Sequence, residues 1–505
     1  MKIKGRVVVF ILGFLGFGAK AQSIEKYWVE LDVSKTLVTK QFTIDTLEIE
    51  SKSIWLNAFT TKLSLEQKNN LLNNDCVLSI SPVKTLKYST QEGKMPSYGD
   101  YIVSLNPAYL EKMGLDGTGV LAGVIDAGFV NVDSGDAYKH IISQNRLLGY
   151  RDFILDGARS DFFDQQTSGD SHGANVLAYM GGYNPETKQK IGLATGASYY
   201  LARTENGDKE HLVEEDDWIE AIEWMHSKGV RVVNTSLGYS EFDDTTENHT
   251  TKDMNGRTTK ISIAAQKAVE KGMILVCSAG NLGLKPWNIV SAPADAEGVI
   301  SVGATKKDDF AKEGYSSIGP DFNPYLKPDV STYSDRGTSY SSPEMAGLVA
   351  CVLQKYPNLT PKQMKEALSI AGHMNPLPNN YVGYGVPDPE ILFAYLAGEV
   401  IEQRSVLNLQ VARNVAKLRI AKKLEKGIVV FHKIDKTHVI DQIRISNKKI
   451  DSEKFKQIAK EGLIKKTYYS KIKKEGANIK IYKQEGVKFS TIVVNNELIE
   501  IEWVN

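Results

Sequence analysis

Four side chains of this sequence could together carry out nucleophilic catalysis by a hydroxyl group. Asp126 ends the apolar run Val120–Ile125, and His172 opens a helical pattern. Asn281 follows another apolar run, and Ser339 lies between a glycine and an apolar helix. A serine hydroxyl is a weak nucleophile at its own pKa, so it needs a base and a group that orients the base. The order Asp, His, Ser along the chain is one in which such triads occur.

Ser339 lies in the segment Gly337–Gly347, which is typical of a tight glycine turn that leads into a helix. The helix is apolar on nearly every side and is therefore predicted to be buried. Pro343 fits if it lies in the first turn, which needs no donor from that position. Ser339 could be the N-cap of this helix. It could also be a nucleophile whose developing negative charge is stabilised by the backbone N–H groups at the helix start.

The other three residues also have purely structural interpretations. Asp126 precedes Ala127-Gly128 and could be a turn residue. His172 could cap a helix, and Asn281 could occupy a turn because Asn tolerates left-handed geometry. Functional residues of open parallel sheets gather beyond the carboxyl ends of the strands. The functional interpretation therefore requires that these residues meet at that edge.

From Asn106 to about Gly398, short apolar runs alternate with helical patterns. This alternation predicts an α/β fold, a doubly wound and mostly parallel sheet with helices on both faces. The predicted strands are Val120–Ile125, Ser198–Ala202, Val230–Asn234, Met273–Cys277 and Val299–Gly303.

The N-terminus has the pattern of a secretory signal peptide. Basic residues precede the apolar run Val7–Phe17, and an Ala-x-Ala site ends at Ala21. The run is too short to span a bilayer, and no cysteine follows it for lipid attachment. We expect residues 1–21 to be removed and the protein to be secreted or periplasmic, without a membrane span.

Residues 22–95 carry the pattern of a small α+β unit. Tyr27–Val33, Ile54–Thr60 and Val77–Val83 are predicted strands. Ser64 and Gln67 form a capping box that opens a short helix through Leu72. The unit is small for an independent domain, and the polar stretch 88–100 is predicted to be a linker.

Residues 401–505 differ from the rest in charge. They contain 23 Lys and Arg against 12 Asp and Glu, although the whole chain has 61 of each. The excess could indicate a module with an anionic partner, but the lysines are scattered, which favours a solvated surface. Short apolar runs predict a small, mainly β module with some helix near Ser452–Ala459. No motif in this module indicates a chemistry, and nothing in the chain predicts a nucleic-acid partner.

The three cysteines, Cys76, Cys277 and Cys351, are too few and too widely spaced for a disulfide framework. At 505 residues, with 42% apolar and 24% charged residues, the chain has the composition of a globular protein with more than one domain.

Nine short segments keep a fixed order that points to one family. They are Val124–Gly128, His172–Gly173, Asn234–Gly238, Ser278–Asn281, Pro293–Asp295, Ser316–Pro320, Lys327–Asp329, Gly337–Ser339 and Gly383–Asp388. Each segment alone is weak, but the ordered set resembles the subtilisin-type serine proteases, or subtilases. The resemblance covers about Asn106 to Gly398, so we expect a subtilisin-like catalytic domain at residues 96–400.

The resemblance implies a serine endopeptidase that acts on protein or peptide substrates. Ser339 would be the nucleophile, His172 the general base and Asp126 the group that orients the imidazole. The Asn281 amide and the Ser339 backbone N–H would stabilise the oxyanion. Two segments would form opposite edges of the S1 cleft, namely Ser236, Leu237 and Gly238 on one side and Ser278, Ala279 and Gly280 on the other.

The resemblance also implies that residues 22–95 are an inhibitor-type propeptide, which would bind as an intramolecular inhibitor and be removed by self-processing. No cofactor is predicted with certainty. Structural calcium is an expectation without assigned ligands: Asp133 and Asp136 could contribute, but surface carboxylates are usually only solvated.

Two departures from the family pattern affect loop shape and substrate preference rather than the reaction. Ala174 and Asn175 replace the Thr and His that usually follow His-Gly, and the stretch from Asp329 to Ser339 is short. Two alternatives stay open. The chain could be a non-catalytic binding protein whose active part is the basic module, although an intact set of four residues argues against this. It could also be an esterase or amidase that uses the same triad.

Overall fold

The structure is a computed structural model that describes residues 24–504, except 33–46, 75, 83–101, 156, 158, 208–212, 241–247, 403, 422–423, 425–426, 446–470, 474–475 and 496. The chain divides into two compact units. The smaller unit comprises Met1–Lys52 and Asn57–Val83, and the larger comprises Ser53–Leu56 and Lys84–Asn505. The predicted signal peptide and the whole predicted linker, residues 88–100, lie outside the described residues.

The smaller unit contains a four-stranded sheet in the order β2-β3-β1-β4 and one helix. Its elements are β1 (Glu25–Leu31), β2 (Ile49–Ser53), β3 (Ala58–Leu63), α1 (Leu65–Leu72) and β4 (Val77–Pro82). The helix begins at the predicted capping box, in which Ser64 and Gln67 each bond the other's backbone, and it ends at Asn73. The prediction of this helix is confirmed.

The predicted strand Ile54–Thr60 was wrong for residues 54–57, which form a turn, but Ala58–Thr60 do begin β3. The chain turns between β2 and β3, where Asn57 has a φ of 50° and the Ile54 side chain is 80% exposed. A residue in the left-handed region interrupts a pleated strand, and Asn adopts this conformation at low cost.

The centre of the larger unit is a seven-stranded sheet in the order β13-β12-β11-β10-β5-β9-β6, with every pair of neighbours parallel. Its strands are β5 (Leu121–Asp126), β6 (Leu147–Asp152), β9 (Ser198–Arg203), β10 (Val232–Thr235), β11 (Ile274–Ser278), β12 (Ile300–Thr305) and β13 (Val330–Tyr333). A two-stranded hairpin, β7 (Tyr183–Asn184) and β8 (Gln189–Lys190), lies between β6 and β9 in the chain.

Helices cover this sheet. They are α2 (Pro107–Lys112), α3 (Lys139–Ile142), α4 (Ser171–Gly181), α5 (Val213–Ser227), α6 (Lys260–Glu270), α7 (Thr338–Lys355), α8 (Pro361–Ala371) and α9 (Pro389–Leu396). α7 packs across β10 to β13 and against α4, whereas α5 and α6 pack against each other and contact β5 and β11. The main apolar core includes Val124, Val276 and Val349. The predicted α/β class, with a parallel sheet between helices, is confirmed.

Two strands of this sheet, β6 and β13, were not predicted. Both are edge strands. β6 is mostly half-buried and contains Gly149 and Arg151, so it lacks a continuous apolar run. β13 has only four residues. Edge strands bury less apolar surface than central strands, so their sequence patterns are weaker.

The C-terminal part of the larger unit is built from two further sheets, in the orders β14-β21-β20-β16-β17 and β15-β19-β18. Their strands are β14 (Val406–Val411), β15 (Val415–Ile420), β16 (Ile428–Lys433), β17 (Val439–Ile445), β18 (Lys471–Lys473), β19 (Gly476–Tyr482), β20 (Phe489–Val494) and β21 (Glu497–Trp503). The described residues agree with the predicted, mainly β character. The helix predicted near 452–459 lies outside the described residues.

Candidate active site

Asp126 and His172 meet at the carboxyl edge of the sheet. Asp126 is the last residue of β5, and His172 is the second residue of α4. Asp126 Oδ1 accepts hydrogen bonds from His172 Nδ1 at 2.6 Å and from the Ala127 N–H at 2.8 Å. Both side chains are buried, Asp126 fully. The interpretation of His172 as a helix cap was wrong, since the N-cap is Asp170.

The close approach of α4 to β5 depends on Gly173. A Cβ atom at this position would lie 2.4 Å from the Gly128 carbonyl oxygen and 2.8 Å from Asp126 Cβ. The Ala174 N–H donates to the same Gly128 carbonyl at 3.1 Å. A larger residue at 173 would therefore force the start of the helix, with His172, away from Asp126.

Arg203, which the sequence analysis did not single out, fixes both segments of this pair. It is the last residue of β9 and is 3% exposed. Its Nε donates to the Ala127 carbonyl at 3.0 Å, and its terminal nitrogens pair with Asp152 at 3.2 Å and Asp170 at 3.0 Å. One guanidinium thus binds the residue after Asp126 and the N-cap of the His172 helix. The only sign of this role in the sequence was that Arg203 ends an interior strand of the predicted sheet.

Ser339 is the second residue of α7, and its backbone turn is set by glycine. The N-cap is Gly337, with a φ of 148° and no side-chain capping bond, so the interpretation of Ser339 as an N-cap was wrong. Ser339 is 7% exposed, and its Oγ donates to the Ser236 carbonyl at 3.4 Å. The ring of the next residue, Tyr340, has its centroid 6.0 Å from that of His172. The start of α7 therefore lies beside the imidazole.

Pro343 is the sixth residue of α7, so its predicted place in the first turn was wrong. A proline at this position has no N–H to donate to the Ser339 carbonyl, its partner in a regular helix. The Ser236 hydroxyl supplies the missing donor at 2.9 Å. Asn234 donates to the Ser236 hydroxyl at 3.0 Å and accepts from Ser342 at 2.7 Å. A buried polar network thus holds the turn that carries Ser339.

Removal of this hydroxyl in Ser236→Ala should leave the Ser339 carbonyl buried without its donor. We expect the free energy of unfolding to fall by about 1–3 kcal/mol, together with a lower kcat. Urea melts and peptide turnover would measure both. Ser369→Ala is the matched control, because its hydroxyl donates to a carbonyl within a regular helix. Equal destabilisation of the two variants would contradict this role.

Asn281 lies against the first residues of α7. Its Oδ1 accepts from the Thr338 N–H at 2.9 Å and from the Thr338 hydroxyl at 3.1 Å. A Cβ atom on Gly337 would lie 3.3 Å from Asn281 Nδ2, so glycine leaves room for the amide. The left-handed turn interpretation was wrong, because Asn281 does not have a positive φ. With its carbonyl engaged, this exposed side chain can offer its amide N–H groups as donors.

The two segments predicted to bind substrate follow neighbouring strands. Ser236, Leu237 and Gly238 follow β10, while Ser278 ends β11 and is followed by Ala279 and Gly280. Their ends contact the Ser339 turn, because Ser236 bonds Ser339 and the Gly280 N–H donates to the Thr338 hydroxyl at 3.0 Å. Gly280, with a φ of 103°, turns the chain there. Substrate binding by these six residues stays a prediction.

Glu205 is a buried carboxyl near Asp126 that the sequence analysis also missed. It accepts hydrogen bonds from the Tyr239 and Thr204 hydroxyls, and it shares a hydrogen bond with Glu214. Burial, with a smaller effect of the charge of Asp126, raises the pKa of Glu205 to about 7 against the lowering effect of these hydrogen bonds. Tyr239 directly follows the predicted substrate segment Ser236–Gly238, so this carboxyl supports one side of the predicted cleft.

The raised pKa of Glu205 predicts a stability that depends on pH. From about pH 4.5 to 7 the folded state keeps a proton that the unfolded state has lost, so the free energy of unfolding falls as the pH rises. The fall should be on the order of 2–3 kcal/mol. Glu205→Gln should show a shallower fall in urea melts across this interval. An unchanged slope would contradict the prediction.

Among the described residues, no group of three or more His, Cys, Asp or Glu side chains is arranged to hold a metal ion. Of the two carboxylates considered for calcium, Asp136 pairs with Lys139 at 2.5 Å. Within the same part of the chain, no helix is both long enough and apolar enough to cross a membrane. The three cysteines are buried thiols without disulfides.

The structure thus has a parallel sheet between helices, with a carboxylate, an imidazole and a hydroxyl at the carboxyl edge of the sheet. This is the architecture of the α/β serine proteases. The sequence model of the Subtilase family matches residues 117–385, which is more than half of the chain. The chain therefore belongs to the subtilase family and is a serine-type endopeptidase by class.

The amino-acid sequence is also similar to those of named subtilisins. The chain is 27% identical to Subtilisin DY of Bacillus licheniformis over 270 residues, which cover 52% of this chain and 86% of the relative. It is also 27% identical to Subtilisin E of Bacillus subtilis over 278 residues, which cover 51% of this chain. The match spans 62% of Subtilisin E, less than two thirds of its length.

Solved structures agree in fold. The epidermin leader peptide processing serine protease of Staphylococcus aureus superposes with a TM-score of 0.52 at 18% identity, covering 75% of this chain and all of that one. Fervidolysin from Fervidobacterium pennivorans, a keratinolytic enzyme related to subtilisin, gives 0.52 at 15% identity and covers 94% of this chain and 71% of its own.

Proposed function

We propose that this chain hydrolyses peptide bonds within proteins through an acyl-enzyme on Ser339. The observation that carries the proposal is the buried hydrogen bond of 2.6 Å between Asp126 and His172, beside the helix start that bears Ser339. Because Nδ1 bonds Asp126, Nε2 is the nitrogen of His172 that would act as the base.

In the proposed mechanism, His172 Nε2 takes the proton of Ser339 Oγ as the hydroxyl attacks the scissile carbonyl carbon. Asp126 keeps the imidazole in the required tautomer and stabilises the imidazolium that forms. The imidazolium then gives its proton to the leaving amine, and the acyl group stays on Ser339. Water, activated by the same imidazole, hydrolyses the ester and regenerates the enzyme.

The negative oxygen of the tetrahedral intermediate would accept hydrogen bonds from the Asn281 amide and the Ser339 N–H. The contacts of Asn281 with Thr338 support this role, because they hold the amide beside the start of α7 before substrate binds. A donor that is already in place costs no reorganisation during the reaction.

Asn281→Ala should therefore lower kcat by about 10²–10³, the range known for the corresponding asparagine in subtilisin, with little change in KM. Steady-state kinetics on a peptide substrate would measure the loss. Asn408→Ala, on an exposed position of β14, is the control. An unchanged kcat in an Asn281→Ala protein that melts like the wild type would refute the assignment.

The substrate class is inferred from the two chain segments beside Ser339. Backbone N–H and C=O groups after β10 and β11 could pair with an extended peptide on both sides. This arrangement supports an endopeptidase over an esterase. Purified enzyme should hydrolyse casein, and Ser339→Ala should not. Turnover of small esters with no casein cleavage would favour the esterase.

We further propose that the protein is exported as a precursor with the signal peptide 1–21, the propeptide 22–95 and the catalytic domain 96–400. Residues Ser53–Leu56 of the proposed propeptide belong to the larger unit, which supports an association of this segment with the catalytic domain. There the Ile54 and Trp55 N–H groups donate to Glu223 of α5 at 3.0 and 3.2 Å. Mass spectrometry of the secreted protein should place the mature N-terminus within residues 88–100. A mature protein that retains residues 22–87 would contradict this processing.

A further inference from the structure

We propose that Gln442 and Arg444, on β17, are positioning residues for the substrate cleft. They hold the loop of residues 309–319, which in turn supports Gly280 and Asn281. The C-terminal module would then be a support for the catalytic site rather than an independent binding module. This inference rests on the proposed function, since it concerns the same cleft.

β17 contacts the beginning of the 309–319 loop through two side chains. Gln442 Oε1 accepts from the Lys312 N–H at 2.8 Å, and Gln442 Nε2 donates to the Lys312 carbonyl at 3.2 Å. Two nitrogens of Arg444 reach the same carboxyl oxygen of Asp309 at 2.8 Å each. Asp309 is buried, so it depends on the guanidinium for compensation of its charge.

The end of the same loop is held through Asn380. Its side-chain oxygen accepts from the Val439 N–H at 2.9 Å, and its backbone N–H donates to the Thr437 carbonyl at 3.0 Å. On its other side Asn380 bonds Gly319 twice, through the Gly319 N–H at 2.8 Å and the Gly319 carbonyl at 3.3 Å. The hairpin of β16 and β17 therefore contacts both ends of the loop, directly or through one residue.

Within the loop, a buried ammonium group fixes the backbone. Lys312 Nζ donates to the carbonyls of Glu313, Gly314 and Ser316 at 2.9, 3.2 and 2.8 Å. Burial lowers the pKa of Lys312 to about 8. Because Gln442 binds the backbone of this same lysine, a shift of β17 would move the residue that organises the turn.

The loop then contacts the cleft on both sides of Asn281. The Ser317 N–H donates to the Gly280 carbonyl at 3.0 Å, and the Ser317 hydroxyl accepts from the Leu282 N–H at 3.1 Å. The Gly283 N–H donates to the Tyr315 carbonyl at 2.8 Å. Displacement of the loop would therefore displace the proposed oxyanion donor and one edge of S1.

An apolar core adds to these polar contacts. Phe431, Val439 and Leu498 of the module share a buried cluster with Ala311 of the loop and Val382. Packing of this kind transmits small shifts, because protein interiors are close-packed.

The test compares Gln442→Ala and Arg444→Ala with Gln410→Ala and Arg419→Ala, which remove the same side chains from exposed positions of the module. All are made in the full chain, and active enzyme is counted with a fluorophosphonate. We expect kcat/KM for peptides to fall about tenfold in the first pair only, since misplacement of a cleft group by about 1 Å can cost up to 10²-fold. Arg444→Lys and Gln442→Glu, which keep one contact each, should recover part of the loss.

A second readout does not depend on activity. Hydrogen exchange at the Leu282 and Gly283 N–H groups should accelerate in Gln442→Ala but not in Gln410→Ala, at a temperature where both are folded. Unchanged exchange and unchanged kcat/KM in the β17 variants would overturn the inference. If the wild type is nevertheless labelled by the fluorophosphonate, the proposed function is still supported. If the wild type is not labelled, both the proposed function and this inference are contradicted.

Discussion

Ser339→Ala is expected to lower kcat for peptide hydrolysis by about 10⁶-fold, the order that loss of the nucleophile costs subtilisin. The variant lacks the oxygen that forms the acyl-enzyme, so the oxyanion donors and substrate binding can supply only a small residual rate. Its Oγ donates a long hydrogen bond of 3.4 Å to the Ser236 carbonyl, so its loss should change the thermal midpoint little. Self-cleavage within residues 88–100 should be lost as well.

Ser341→Ala is the matched control for this variant. Ser341 lies two residues further along α7 and donates to the Thr338 carbonyl at 3.1 Å, so it tests the loss of a hydroxyl on the same helix. It should keep most of the activity. If a Ser339→Ala protein purified alone still matured or cleaved casein, Ser339 would not be the nucleophile.

Asp126→Asn is the second variant with a large expected effect, a fall in kcat of about 10⁴-fold near neutral pH. An amide at this position keeps the shape of the side chain but no longer favours the tautomer with a proton on Nδ1. It also cannot compensate the charge of the imidazolium that forms during the reaction. KM should change little, because Asp126 is fully buried and is therefore out of reach of the substrate.

Kinetics across the pH range would measure this effect, with Asp133→Asn as the control, since Asp133 is an exposed carboxylate. A fall of less than about tenfold in Asp126→Asn would mean that the observed hydrogen bond to His172 does not determine the reactive tautomer.

The central strands and the position of Asp126 were predictable from sequence for one physical reason. A strand buried on both faces must be continuously apolar, so a carboxylate that ends such a run is conspicuous. Edge strands bury less apolar surface and so need no continuous apolar run, which is why β6 and β13 were not predicted. The turn at residues 54–57, where Asn57 has a left-handed conformation, was also missed, so the predicted strand Ile54–Thr60 begins only at Ala58.

The partners of the site residues could not be predicted, because they come from distant parts of the chain. No local pattern shows that Ser236 supplies the hydrogen bond that Pro343 cannot make, or that Arg203 joins the residue after Asp126 to the His172 helix. Because Pro343 lies beyond the first turn of α7, Ser236 is not only a predicted cleft residue but also a support of the turn that carries Ser339.

The C-terminal module is a further case in which composition was a weak guide. Its excess of positive charge raised the possibility of an anionic partner, yet two of its basic side chains form internal pairs, Lys433 with Glu500 and Arg444 with Asp309. These charges serve packing and positioning within the chain, which a count of lysines and arginines does not reveal.

The most direct test of the account is peptide mapping of the protein after reaction with a fluorophosphonate. The account predicts one covalent adduct, on Ser339, and its absence when His172 is replaced by glutamine, because the hydroxyl then has no base. An adduct on another serine, or none on a folded protein free of its propeptide, would contradict the claim that Asp126, His172 and Ser339 form one catalytic centre.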